Sequence, residues 1–136
     1  MVNSIKQGST FEHEFQFSQQ NVIKFAEASG DFNPIHLDSA YAKNSIFGRT
    51  IIHGFLGGSV FSKVFGTIYP GEGTIYLKQD MSFFKPMFTL VTYKAIFKVI
   101  DTIPEKNRAR VKTTILDQEN EIIIDGEAII KHPSIL

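Results

Sequence analysis

The sequence predicts an α+β domain in which an antiparallel sheet wraps around one long, buried helix. Three observations carry that reading. Residues 51–69 (IIHGFLGGSVFSKVFGTIY) form the most apolar segment, with one Lys, no acid and glycines at 54, 57, 58 and 66. Its length and the placing of Phe55, Val60, Phe61, Val64, Phe65 and Ile68 favour a helix that is apolar almost all round. From residue 74 onward the hydrophobic period switches to two, the mark of strands. A lone apolar helix followed by a meander is best buried by wrapping the sheet around it.

The elements follow in order. Residues 10–17 (TFEHEFQF) alternate, with Phe11, His13, Phe15 and Phe17 on one face and Glu12, Glu14 and Gln16 on the other, which is a half-buried strand. Ser18 reads as a helix N-cap. Val22, Phe25, Ala26 and Ser29 then recur at helical spacing, and Gly30 suits the stop. A helix is therefore expected over about 19–29. Next, Asn33 precedes Pro34, which biases it away from the α region, and Pro34 lacks an N–H. Residues 31–36 accordingly read as a fixed, non-helical turn. Asp38 or Ser39 caps a short helix through 40–42, broken at Gly48-Arg49-Thr50. Pro70-Gly71-Glu72-Gly73 is a turn signal. Residues 74–84, 90–101, 109–117 and 121–131 read as strands, with loops at 104–107 and 118–120 short enough for hairpins.

Size and composition narrow the classes. At 136 residues the chain fits one domain. Fourteen basic and fourteen acidic residues cancel, so no basic field is available for a phosphate backbone and nucleic acid is not an expected partner. The absence of Cys removes disulfides and thiolate zinc sites. With no apolar leader in MVNSIKQGST and no run approaching the ~20 residues that span a bilayer, a cytoplasmic location away from membranes is expected. Thirteen Phe stand against four Tyr and no Trp. Either they pack the core, or a few of them shape an apolar ligand pocket.

The stretch SGDFNPIHLD, residues 29–38, places Asp31 and His36 close together. An Asp after a helix is commonly a turn residue bonding a nearby N–H, and a loop His is commonly solvated. A carboxylate and an imidazole are also the usual acid and base near neutral pH, and on one rigid turn both can touch one water. A metal is a weaker reading. Asp31, His36, Asp38 and His53 could be collected on paper, but no pair has the helical His spacing of zinc sites. Carbonyl chemistry also needs a place for negative charge. His53-Gly54 opens the long helix, where the first N–H groups lack internal partners and the dipole is positive. Gly54 permits close approach to that backbone.

Residues 25–42 (FAEASGDFNPIHLDSAYA) resemble the signature of the (R)-specific enoyl-CoA hydratases, the hydratase 2 or MaoC-like dehydratase family. The match rests on Ser29-Gly30-Asp31-x-Asn33-Pro34-Ile35-His36 with Ala42 at the small position, on Ile52-His53-Gly54 and on Phe84-Lys85-Pro86. It covers essentially the whole chain. The departures are Ala28, where a larger aliphatic residue or Gly is usual, and MFTLVTY after Pro86.

The resemblance implies a hot-dog fold, residues 1–136 as one MaoC-like domain, a homodimer, and thioester substrates carried on coenzyme A without a further cofactor. It implies reversible hydration of trans-2-enoyl-CoA to (R)-3-hydroxyacyl-CoA. Asp31 and His36 would share one water, the Gly54 N–H would hold the thioester oxygen, and Asn33 and His53 would complete the substrate-binding group. The acyl pocket would follow the helical stripe Gly54, Gly58, Ser62 and Phe65, with Arg49, Lys63 and Lys85 as candidate cations for the coenzyme phosphates. Rival expectations are a 3-hydroxyacyl-acyl-carrier-protein dehydratase, a non-catalytic hot-dog module that binds acyl thioesters, and a hot-dog thioesterase.

Overall fold

A computed structural model describes residues 4–136. Strand β1 (Thr10–Phe15) keeps the expected alternation. Phe11 and Phe15, with Phe17 just beyond, pack against the core, while Glu12 and Glu14 face water. Helix α1 (Gln19–Ser29) starts at a reciprocal capping box. The Ser18 hydroxyl accepts the Asn21 N–H at 3.1 Å, and the Asn21 side chain accepts the Ser18 N–H at 2.9 Å. Such a cap is worth about 1 kcal/mol. The helix stops at Gly30, whose φ of 82° is the left-handed conformation glycine adopts without strain.

The turn expected over 31–36 is only half a turn. Helix α2 (Pro34–Leu37) takes up Pro34 and His36, and α3 (Ser39–Lys43) follows directly. The correction has a simple cause. Proline disfavours helix for the residue before it, but its fixed φ suits the first helical position, where the missing N–H has no partner to lose. Asn33 therefore remains outside and caps α2 by accepting the Ile35 N–H at 3.2 Å. Asp38 caps α3 by accepting the Tyr41 N–H at 3.0 Å.

Helix α4 (Gly54–Thr67) is the long apolar helix, shorter at both ends than 51–69. Residues 51–53 run extended because their amides bond elsewhere: Ile51 N–H to the Ile35 carbonyl at 3.1 Å, and Ile52 N–H to that of Met87 at 2.8 Å. Leu56, Val60, Phe61, Val64 and Phe65 are buried, each contributing roughly 1.5–3 kcal/mol by leaving water. The helix is not apolar all round. Phe55, Ser59, Ser62 and Lys63 stay exposed, so one flank lies open.

The remaining strands are β2 (Ile75–Gln79), β3 (Ser82–Phe83), β4 (Tyr93–Ile103), β5 (Arg108–Leu116) and β6 (Ile122–Lys131). The sheet runs β1-β4-β5-β6-β2, antiparallel throughout, with β3 also on β6. Inward residues of β4, β5 and β6, among them Phe97, Val111, Ile115, Ile124 and Ile130, form one core with the buried face of α4. Residues 74–84, expected as one strand, break at Asp80. There the chain crosses β6 closely. Asp80 exchanges backbone and side-chain bonds with Glu127, and a Cβ on Gly126 would stand 1.9 Å from the Asp80 carbonyl oxygen. The strand expected over 90–101 begins later, after Leu90 with its φ of 61°.

Candidate active site

The site is assembled where α1 ends, α2 begins and α4 starts. Ser29 accepts the Asp31 N–H at 3.1 Å, and the Asp31 Oδ1 accepts the Asn33 N–H at 3.1 Å. These short-range bonds fix the segment between the two helices. The His36 N–H donates to the Asn33 carbonyl, and Gln19 holds the His36 carbonyl from α1 at 3.0 Å.

Both histidine tautomers follow from their partners, since a carbonyl can only accept. His36 Nδ1 lies 2.8 Å from the Ile51 carbonyl and must carry the proton, leaving Nε2 with its lone pair free to act as a base. His53 Nε2 lies 3.0 Å from the backbone carbonyl of Asp31 and must donate to it. The two imidazoles stack, centroids 3.8 Å apart and 26° from parallel, and Phe25 packs on His53 at 4.8 Å. His36 is 8% exposed and His53 2%. Burial lowers the His36 pKa below its ordinary value. The Ile51 bond and Asp31 oppose that shift, and His53 reinforces it.

Side-chain donor atoms of Asp31, His36 and His53 lie within 4.8 Å of one another. Two groups bonded to a single water at ~2.8 Å each stand about 4.6 Å apart, so this spacing suits a shared water. A carboxylate and two imidazoles are also metal-binding types. One nitrogen of each ring donates to a carbonyl and the other keeps its lone pair, and the two rings are stacked. Asp38, the fourth residue of the paper cluster, is occupied as the α3 cap.

His36 and Gly54 line one cavity of about 470 Å³, with Phe47, Ile51, Phe55, Phe83, Phe84, Met87 and Ile124. Gly54 is the first residue of α4, where N–H groups have no intrahelical acceptor and the dipole end is positive. A methyl at Gly54 would meet the Phe83 ring at 2.7 Å.

The expected acyl stripe is not brought together. Gly58 lines a second, more open hollow of about 360 Å³ with Phe55, Ser59, Tyr76 and Met81. Ser62 is exposed, and Phe65 is core, packed edge-on to Phe97 and Tyr76. One helical stripe spans solvent, hollow and core because its residues advance along the axis as well as around it. Of the expected cations, Lys85 reaches the cavity rim but pairs with Glu121. Arg49 lies over the Phe88 ring at 3.7 Å, and Lys63 sits 3.2 Å from His13, whose pKa is lowered by burial and then by that ammonium.

Sequence reasoning missed Phe47, Phe55, Phe83 and Phe84 as cavity walls. Thirteen Phe raised the possibility: Phe11, Phe15, Phe17, Phe25, Phe61, Phe65 and Phe97 serve the core, these four line the cavity, and Phe32 and Phe88 belong to neither set.

A family model described as the MaoC like domain matches residues 1–121. The chain belongs to this MaoC-like family. It is 38% identical to the (R)-specific enoyl-CoA hydratase of Aeromonas caviae, over 97% of this chain and 98% of that one. It is 37% identical to the 3-hydroxybutyryl-CoA dehydratase of Methylorubrum extorquens, over 87% of this chain and 74% of the relative. A solved structure, described as an (R)-hydratase from A. caviae involved in PHA biosynthesis, superposes with a TM-score of 0.91. That match is at 37% identity and covers 97% of this chain and all of that one. The MaoC-like chain thus has the hot-dog α+β fold.

Proposed function

We propose that this protein reversibly hydrates trans-2-enoyl-CoA to (R)-3-hydroxyacyl-CoA, as a hydro-lyase. One observation carries the reading. Asp31 and His36 offer side-chain atoms within water-bridging distance of each other, and His36 lines one apolar cavity together with Gly54, the first residue of α4. The names of the relatives supply the substrate class and the stereochemistry.

In the forward direction, a water held between Asp31 and His36 gives its oxygen to C3 of the enoyl thioester. One member of the pair removes a proton from that water. The C2=C3 electron pair moves toward the carbonyl, forming an enolate-like oxygen that the Gly54 N–H stabilises. The pair then returns a proton to C2, and no atom is left over. Water addition from one side of the site makes the addition syn. The roles of base and acid are given to the pair and are not divided between its members. The phenylalanine-walled cavity accepts the acyl chain and keeps bulk water from the enolate. Every group in this scheme is a side chain or amide of the protein, so the scheme calls for no metal or organic cofactor.

Two further readings accompany it. Residues 1–136 act as a single domain. The active form is a homodimer, supported by the exposed edge strand β2, whose Ile75, Tyr76 and Leu77 are 53%, 36% and 43% exposed. Among the described residues no helix is long and apolar enough to cross a membrane.

The decisive experiment is a spectrophotometric assay following loss of the enoyl-thioester absorbance with crotonyl-CoA and longer enoyl-CoAs. Chiral analysis of the 3-hydroxyacyl product follows, and parallel assays use the same acyl groups on acyl carrier protein. Turnover of the CoA substrates to the (R) product is expected. Absence of turnover on any enoyl thioester leaves only a binding module, and release of free thiol points to thioester hydrolysis. Sedimentation velocity at micromolar concentration reads the dimer directly.

A further inference from the structure

Four histidines occur in the chain, and one of them is poorly explained by packing alone. His53 is 2% exposed, and its Nδ1 is buried without a hydrogen-bond partner. It is the N-cap residue of α4, yet its side chain makes no capping bond. A buried polar atom with no partner is a standing desolvation penalty that an aliphatic residue of similar size would remove. The ring is therefore kept for what its other atoms do. Its Nε2–H holds the carbonyl of Asp31, 22 residues away in sequence. Its face lies against His36 at 3.8 Å. Asn33 also bonds both members, but from within their own segment and through backbone groups; His53 reaches both from the start of α4 with one side chain.

We propose that His53 is a positioning residue for the Asp31/His36 pair: its Nε2–H anchors the backbone of Asp31 while its ring backs the imidazole of His36, so that one side chain sets the gap in which the water sits. This rests on the hydratase reading. Each member of the pair also has its own local tether. Asp31 is tied to Asn33 and Ser29, and His36 is tied to Ile51. The Ser29 and Asn33 tethers are local to the segment that carries the pair, and His53 adds a side-chain link from the start of α4 to both members. The titratable groups that bear on His36 are Asp31, which favours its protonated form, and His53, which opposes it. The same contact that spaces the pair therefore helps keep His36 neutral.

Two variants separate the contributions. His53→Leu fills much of the volume but removes both the donor and the imidazole. A reacting group misplaced by about 1 Å costs on the order of 10²-fold in rate, so kcat on crotonyl-CoA should fall about that far, with KM changed little. His53→Gln places an amide N–H near the original donor, and kcat should recover to within about tenfold of wild type. Because Gln carries no ionisable ring, the NMR titration of His36, assigned by its loss in His36→Gln, should move to higher pH in His53→Gln. The acid limb of kcat/KM should move with it.

The proposal is overturned by any of three results. These are a folded His53→Leu enzyme with kcat within threefold of wild type, no recovery in His53→Gln, or a His36 titration that superimposes on wild type. The Gln variant alone decides the matter if the Leu variant does not fold. Were the wild type itself inactive on enoyl thioesters, the hydratase reading would fall, and the His36 titration would still decide whether His53 governs that imidazole.

Discussion

Replacing Gly54 by Ala should separate catalysis from stability. The added methyl would meet Cε1 and Cδ1 of Phe83 at 2.7 and 2.9 Å, closer than real Cβ contacts allow. Phe83 is 48% exposed and, among the described residues, stacks on Phe55 alone, at 6.0 Å, so its ring can swing away. An off-rotamer side chain costs roughly 0.5–1.5 kcal/mol. Against that, Ala is favoured over Gly within a helix by up to about 1 kcal/mol. The two nearly cancel, and Tm should move by no more than a few degrees. Activity should respond differently. In the proposed mechanism the thioester oxygen approaches the N–H of the residue that carries this methyl, and losing an oxyanion donor typically costs ~10²–10³ in rate. Steady-state kinetics on crotonyl-CoA, with thermal unfolding run in parallel, should therefore show kcat lower by about that factor in a protein of nearly unchanged stability. A variant keeping kcat within threefold would mean that the oxygen is held elsewhere, and the role given to the α4 N-terminus would have to be abandoned.

Three other outcomes are expected. Asp31→Asn and His36→Ala should each lower kcat by about 10²–10⁴, and the double variant should lose little more than the worse single one. Strictly additive losses would argue against a shared water. Because burial lowers the His36 pKa, the folded chain holds that proton less tightly than the unfolded one. The stability this confers is present above the ordinary imidazole value of 6.5 and is lost as pH falls through the depressed folded value. The acid limb of kcat/KM should likewise lie below 6.5, and a limb above it would contradict the burial argument. Gly126→Ala should destabilise the fold without touching the cavity. Its methyl would press on the Asp80 carbonyl oxygen at 1.9 Å, backbone against backbone, which no rotamer relieves. A loss of roughly 3 kcal/mol, or roughly 10 °C in Tm, is expected by calorimetry.

The outline of the fold was legible because each element satisfied its own local rule. Alternation marked β1, a Ser cap and a terminal Gly bounded α1, and an apolar run of helical length announced α4. The errors came where long-range contacts overrode those rules. Nothing within residues 74–84 signals the break at Asp80, because its cause is the crossing of β6 at Gly126, some 46 positions away. The solvent-facing flank of α4 was equally invisible. Phe55 and Phe65 look alike in sequence, yet one walls the cavity and the other is core.

The chemistry at the site was legible from residue types, and its geometry was not. Asp31, Asn33 and His36 could be grouped because a short segment must bring them near one another. The spacing said nothing of which nitrogen of His36 is free. That is decided by the carbonyl of Ile51, fifteen residues on, itself fixed because its own amide reaches back to Ile35. The segment before α4 therefore does two jobs. Through Ile51 it sets the tautomer of His36, and through His53 and Gly54 it supplies the partner ring and the helix end. Reading 31–36 as a fixed, non-helical turn placed His36 near Asp31 but did not say where its ring points. Placing His36 on the third residue of a Pro-started helix turn aims its ring at the 51–54 segment. The proline, read from the sequence as a helix breaker, starts the helical turn that carries His36 toward its Ile51 and His53 contacts. A Pro34→Ala variant would release that restraint, and it should lower kcat while leaving the Asp31–Asn33 turn bond intact.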